Sequence, residues 1–212
     1  MNLVSYLKDI YGYDTPIFLK DIRIGGKSKA AIKEEFYRAV KRGELNRDGS
    51  GVYSLVNNTN DLINVVTFEK IIENKFIYIE NYMPGLESLQ VCGYYSGQTF
   101  LNMIGISEQV PAVLEVTTNR TSSKKRYYSA LGRLAIVRKA RTEVNFNNWL
   151  MLQFLDMFYF LSLDEVIKNK DLIVNYIKNQ KLTRNMFMVC IRFYGSDTLT
   201  KIMNGGLIDA FI

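Results

Sequence analysis

The sequence contains no histidine among its 212 residues, and this absence excludes more chemistry than any other feature of the composition. Without an imidazole there is no Ser-His-Asp or Cys-His nucleophile and no histidine-containing metal site. The two cysteines, Cys92 and Cys190, each lie in an apolar run, which favours a buried thiol at each position over a zinc site or a disulfide. No pair of carboxylates stands out as an acid/base or Mg²⁺ site. We therefore expect no metal, no cofactor and no enzymatic activity.

Long hydrophobic segments are missing as well. The most apolar stretch, residues 149–163, is 15 residues long and includes Gln153 and Asp156, whereas a membrane-spanning helix needs about 20 apolar residues. The N-terminal residues lack the cationic and apolar regions of a signal peptide. These absences predict a cytoplasmic protein without a membrane partner.

The charges are distributed unevenly, although their sum is only +6. Residues 1–56 carry ten basic and seven acidic side chains, and residues 57–115 carry two basic and seven acidic ones. Residues 116–142 then carry eight basic side chains and no acidic one, while residues 143–212 carry seven of each. This pattern predicts two basic surfaces on a body of mixed charge.

The first part of the chain is predicted to contain three helices. Apolar residues at helical spacing indicate a helix over residues 2–11. Thr15 and Pro16 are typical of a helix start, so we expect a short second helix that ends near Ile22. Ser28 is the expected cap of a third helix, which continues to about residue 42.

A β-hairpin is predicted directly after these helices. Residues 45–47 and 52–55 read as strands, and the Asp-Gly-Ser-Gly sequence at 48–51 reads as the turn between them. Three helices followed by a hairpin is the order of a winged helix-turn-helix, in which the third helix enters the major groove of DNA. We therefore predict a DNA-binding domain over residues 1–57.

The third predicted helix carries a cationic face opposite Phe36. Arg38, Lys41 and Arg42 are expected to contact phosphates or guanine edges there. A solvated basic face is the alternative, and the order of the neighbouring elements favours DNA binding. The candidate DNA-binding residues are Lys27, Ser28, Lys29, Lys33, Tyr37, Arg38, Lys41, Arg42 and Arg47.

A second domain is predicted over residues 62–212, after a polar break at 57–61. Apolar and β-branched runs predict strands at 76–79, 112–117 and 130–137. The expected helices are 62–73, 86–104 (interrupted by Gly93 and Gly97), 147–162, 164–179, 184–194 and 197–203. The expected fold class is α+β, with an N-terminal winged helix-turn-helix followed by a small sheet covered by helices.

The segment 119–142 contains cations and no carboxylate. Its first part reads as a Thr/Ser-rich loop between two strands. Because its cations repel one another, we expect an anionic partner. Nucleic acid, a nucleotide, an acidic protein and a loop with no partner all remain open. The residues of this second basic surface are Arg120, Lys124, Lys125, Arg126, Arg133, Arg138, Lys139 and Arg141.

Two glycine segments offer weaker signals of phosphate binding. The sequence Gly25-Gly26-Lys27-Ser28 has Asp21 where a phosphate loop requires its first glycine, so we interpret it as a turn before a capped helix. Backbone N–H groups in residues 93–99 are able to cradle a phosphate, but close packing through the two glycines is the favoured interpretation.

Three passages together resemble a known family. Residues 38–55 read RAVKRGELNRDGSGVYSL, residues 89–97 read LQVCGYYSG, and residues 109–119 read QVPAVLEVTTN. In this order they resemble the AbiEi family, the antitoxins of type IV toxin–antitoxin systems that act in abortive infection, a form of phage defence. The resemblance covers nearly all of residues 1–160.

The resemblance implies an autoregulating antitoxin. Residues 1–57 would bind double-stranded DNA at inverted repeats in the promoter of the protein's own operon and repress it. Residues 62–212 would form the antitoxin domain, which opposes a nucleotidyltransferase-like toxin without a stable complex. The alternatives are a plain transcription regulator with a ligand-sensing or dimerising C-terminal domain and, with less support, an enzyme that holds a nucleotide in the loop 119–126.

Overall fold

The computed structural model describes residues 2–57, 65–80 and 89–212. Over these residues the protein has a mixed α/β structure that divides into two compact units. The first unit contains residues 1–74 with residues 129–133, and the second contains residues 75–128 with residues 134–212. Most of the polar break expected at residues 57–61 lies outside the described residues.

The first unit begins with helix α1, Leu3–Tyr11, followed by strand β1, Ile17–Phe18. The short second helix expected up to Ile22 is wrong, since only the single 3₁₀ turn Leu19–Asp21 is helical there. Ile17 and Phe18 instead pair antiparallel with residues 52–53, and both side chains are buried. This distant pairing outweighs the local helix signal of Pro16.

Helix α2, Lys29–Lys41, confirms the third expected helix. The Ser28 side chain accepts a hydrogen bond from the Ala31 N–H at 3.2 Å and thereby caps the helix. Ile32 and Phe36 are buried in the core of the unit and orient the helix. The opposite face is therefore left to solvent.

The expected hairpin is also confirmed. Strands β2, Leu45–Gly49, and β3, Val52–Leu55, pair antiparallel with a bulge between Arg47 and Gly49. The first unit further contains the short helix α3, Phe68–Ile72. The helix was expected over residues 62–73, but among the described residues it begins only at Phe68. A π-helical turn, Glu73–Ile77, follows α3.

The second unit contains most of the remaining strands. Its elements up to residue 118 are β4 (Tyr78–Glu80), β5 (Leu89–Val91), β6 (Gly93–Tyr95), α4 (Gly97–Met103) and β7 (Leu114–Thr118). The helix expected over residues 86–104 is therefore wrong for residues 89–95. A Cβ atom at Gly93 would collide with the backbone oxygens of Phe76 and Thr117, so the glycine permits close packing of extended chains.

The basic segment forms a hairpin of two strands, β8 (Lys125–Ala130) and β9 (Arg133–Lys139). The loop expected at residues 119–126 therefore ends at Lys124, and β9 pairs parallel with β7. Leu131 and Gly132 form the turn of the hairpin with φ angles of 50° and 68°. Two consecutive residues at positive φ are typical of a two-residue hairpin turn.

The C-terminal part of the second unit is helical, as expected. Its helices are α5 (Trp149–Met157), α6 (Leu163–Lys168), α7 (Lys170–Asn179), α8 (Arg184–Cys190) and α9 (Ser196–Asn204). Residues 151–158 are all buried, so α5 forms the centre of the core. Among the described residues, no helix combines the length and apolarity needed to cross a membrane.

Candidate nucleic-acid interface

The exposed face of α2 gathers several cations predicted to bind DNA. Arg38, Lys41 and the cap residue Arg42 are exposed near its C-terminal end. Arg38 donates to Glu34 at 3.0 Å, and Arg42 donates to Glu44 at 2.7 Å. These pairs are exposed and contribute little to stability, because water screens them. A phosphate group can therefore replace the carboxylates at small cost.

Other predicted residues lie around this face in different environments. Lys29 and Lys33 are exposed, and within the described residues neither has a carboxylate at ion-pair distance. The Lys41 ammonium lies 4.6 Å from the centre of the exposed Tyr37 ring. Arg47 is exposed on β2.

Two predicted residues have local roles in building the helix. Ser28 uses its hydroxyl oxygen as the cap of α2, as described above. Lys27 donates to Glu35 at 2.6 Å, and both side chains are about one third exposed. Ser28 and Lys27 are engaged in these contacts in the folded protein. The candidate DNA-binding face of α2 therefore consists mainly of residues between Lys29 and Arg42.

The eight cations of the segment 119–142 do not share one environment. Arg133 pairs with Glu69 in the first unit. Three residues, Lys124, Lys125 and Lys139, are exposed and have no carboxylate at ion-pair distance within the described part of the chain. The others are Arg120, which donates to the Lys75 carbonyl, Arg126, which lies over the Phe76 ring, Arg138, which pairs with Glu115, and Arg141, which pairs with Asp156.

Glu115 on β7 is a buried carboxylate that the sequence analysis did not single out. One of its oxygens accepts from the Gln98 N–H at 3.2 Å and the other from Arg138 at 2.7 Å. The Gln98 N–H in the first turn of α4 is therefore bonded to a carboxylate of the protein, and the crowding around Gly93 and Gly97 agrees with the close packing expected for this segment. The only indication of this buried carboxylate in the sequence is a single glutamate within a run of apolar and β-branched residues.

A second buried carboxylate, Asp156, lies on α5. The Tyr94 hydroxyl donates to Asp156 at 2.9 Å, and the Arg141 Nε donates at 3.4 Å. Burial raises the pKa of Asp156 above its ordinary value, despite the opposing effects of these donors. Burial and the charge of Asp156 also raise the pKa of the Tyr94 hydroxyl. Within the described residues, no group of three or more acidic or cysteine side chains could hold a metal ion.

No protein-family model matches the chain, and no curated protein sequence matches it either.

Because Glu115 lies close to the start of α4, we predict that substitution of Gly97 costs more stability than substitution of Gly105. Gly97 has a φ of 56°, and a Cβ atom there would lie 2.5 Å from the Glu115 carboxylate. Gly105 has a similar φ of 78° but open space around it. We expect Gly97→Ala to lower the free energy of unfolding by about 1–3 kcal/mol more than Gly105→Ala, as measured by urea denaturation. Equal losses would contradict the described contact.

The raised pKa of Asp156 predicts a specific dependence of stability on pH. Between the ordinary pKa of about 3.8 and the higher folded value, the folded protein binds more protons than the unfolded chain. The free energy of unfolding therefore falls as the pH rises through this window. Asp156→Asn removes this fall, which amounts to about 1.4 kcal/mol for each pH unit between the two pKa values.

The measurement is denaturant unfolding of the wild type and the variant over a pH series. We expect the stability of the wild type relative to Asp156→Asn to decrease with pH across the window and to stay constant above it. Asp171→Asn, at an exposed position on α7, is the control for removal of one charge. A relative stability that does not change with pH would disprove the assignment.

Proposed function

We propose that the protein is a DNA-binding repressor of its own operon and the antitoxin of a type IV toxin–antitoxin system. The observation that carries the DNA-binding part is the exposed cationic face of α2, followed directly by the β2–β3 hairpin. The antitoxin part rests on the resemblance of residues 38–55, 89–97 and 109–119 to the AbiEi family.

The dimensions and charges of α2 support the proposal. The helix has 13 residues and is therefore about 20 Å long, which suits insertion into a major groove about 12 Å wide. Ile32 and Phe36 on one side of the helix are buried, so the opposite side faces the solvent. Lys29 and Lys33 add charge without a carboxylate partner in the described structure. The proposed mode of binding is insertion of α2 into the groove, with the hairpin residue Arg47 on the adjacent backbone.

Loss of three cations tests the DNA-binding face. We expect replacement of Arg38, Lys41 and Arg42 with Ala to weaken binding to the operon's own promoter at least tenfold, because charge-assisted contacts are lost. The slope of log affinity against log salt concentration should become shallower by up to about 3, since each lost phosphate contact contributes about 0.9. Fluorescence anisotropy with a labelled promoter duplex measures both quantities.

A matched control removes three cations elsewhere. Lys168, Lys178 and Arg192 are exposed residues in the C-terminal helices, and their replacement with Ala lowers the net charge by the same amount. We expect this variant to bind the promoter nearly as well as the wild type. Equal binding by the α2 variant and the wild type would refute the assigned face.

Co-expression with the toxin tests the antitoxin part. Where a nucleotidyltransferase-like toxin is encoded beside this protein, we expect the protein to protect cells from it. The α2 variant should still protect when it is expressed from an unrelated promoter, because the proposed antitoxicity belongs to the second unit, while repression of the native promoter should be lost. Failure of the wild type to protect would leave the plain transcription regulator as the function.

A further inference from the structure

The second unit has a surface stripe in which cationic and aromatic side chains alternate. We call this the aromatic–cation stripe, and its residues are Tyr127, Lys125, Arg138, Phe160, Tyr159 and Arg141. All six belong to the second unit. Two of its rings are largely exposed, since Tyr127 is 62% and Tyr159 is 68% accessible to solvent.

The first half of the stripe lies on the β8–β9 hairpin. Side chains of β8 alternate, so Lys125 and Tyr127 are exposed while their neighbours are partly buried. The Lys125 ammonium lies 5.5 Å from the centre of the Tyr127 ring. The two-residue turn and the hydrogen bond from the Lys139 N–H to the Lys124 carbonyl place Lys125 opposite Arg138. These two cations are thus cross-strand neighbours on one face.

The second half continues from Arg138 onto the turn that follows α5. The Arg138 guanidinium lies 5.5 Å from the centre of the Phe160 ring. The Phe160 and Tyr159 rings contact edge to face, with their centres 5.3 Å apart. The Arg141 guanidinium then lies 5.8 Å from the centre of the Tyr159 ring. A continuous series of contacts therefore runs from Arg138 to Arg141.

Buried carboxylates hold both arginines in place. Arg138 is bonded to Glu115, and Arg141 to Asp156, while the arginine side chains remain 28% and 41% exposed. Their orientation is therefore set before any ligand binds, which lowers the entropy lost on binding. An anionic ligand suits the stripe, because Lys125 has no carboxylate at ion-pair distance in the described structure. Lys124 and Lys139, which also have none there, flank it at the open end of the hairpin.

We propose that the aromatic–cation stripe binds a single-stranded polynucleotide. Bases stack on the exposed rings of Tyr127 and Tyr159, and phosphates contact Lys125 and the two arginines. In a duplex the faces of the bases are covered by their neighbours, so exposed rings of this kind find no partner there. RNA and DNA share this chemistry when single-stranded. The stripe shares no residue with the DNA-binding face of α2, so the two roles do not depend on each other.

The test uses the full chain and three labelled probes of equal length: oligo-rU, oligo-dT and a random duplex. We expect the single strands to bind more tightly than the random duplex in fluorescence anisotropy. Tyr127→Ala and Tyr159→Ala should each weaken single-strand binding about tenfold, whereas Tyr127→Phe should bind like the wild type, because stacking needs the ring and not the hydroxyl. Tighter binding of oligo-rU than of oligo-dT would show a preference for RNA, and the reverse would show a preference for DNA.

Controls separate the stripe from other exposed groups. Phe146 is 73% exposed outside the stripe, and Phe146→Ala should leave single-strand binding unchanged. Lys125→Gln should make the salt slope shallower by about 0.7, the value for one phosphate contact of a single strand. The α2 variant described above should keep single-strand binding, so failure of either proposal is recognised separately.

Three results would overturn the proposal. The first is wild-type binding of single strands that is no tighter than binding of the random duplex. The second is a Tyr127→Ala variant that binds oligo-rU and oligo-dT as well as the wild type. The third is an equal loss of promoter binding in that variant, because the stripe would then be a duplex contact.

Discussion

Two carboxylates inside the second unit, Glu115 and Asp156, require donors, because an unpaired charge in a protein interior costs several kcal/mol. Glu115 obtains its donors from the start of α4 and from β9, and Asp156 obtains them from β6 and from the segment after β9. The helices and strands of this unit are therefore connected by hydrogen bonds and ion pairs to these carboxylates as well as by apolar packing. Arg138 and Arg141, which pair with these two carboxylates, are partly exposed to solvent.

The parts of the fold that follow local rules were predictable. Helix α2 was located from its serine cap and its apolar period, and the β2–β3 hairpin from its Asp-Gly turn. Strand β1 and residues 89–95 were not, because both depend on distant partners. Ile17 is extended because residue 53 pairs with it, and Gly93 is extended because it pairs with Thr118 of β7.

The candidate surfaces were also predictable only where they depend on neighbouring residues in the sequence. The cations of α2 could be placed on one face from the helical period alone. The segment 119–142 contains no carboxylate in its sequence, yet Glu69, Glu115 and Asp156 from other segments neutralise three of its arginines. The sequence of β8 also does not reveal which of its side chains are exposed, since both faces of the strand carry a cation and a tyrosine. Only pairing with β9 distinguishes the exposed Tyr127 from its partly buried neighbour Tyr128.

The tip of the β8–β9 hairpin, residues 129–133, belongs to the first unit, where Ala130 pairs with Gly49 of β2 and the Leu131 N–H donates to the Asp48 carbonyl. Neither unit is therefore a single continuous stretch of the chain. A fragment cut after residue 57 or 74 would leave the edge of β2 without these bonds, and it would expose backbone groups that invite aggregation. A single cut in the chain cannot separate the two units, because residues 129–133 of the first unit lie between the two parts of the second. Point substitutions in the full chain are therefore the way to test the two units separately.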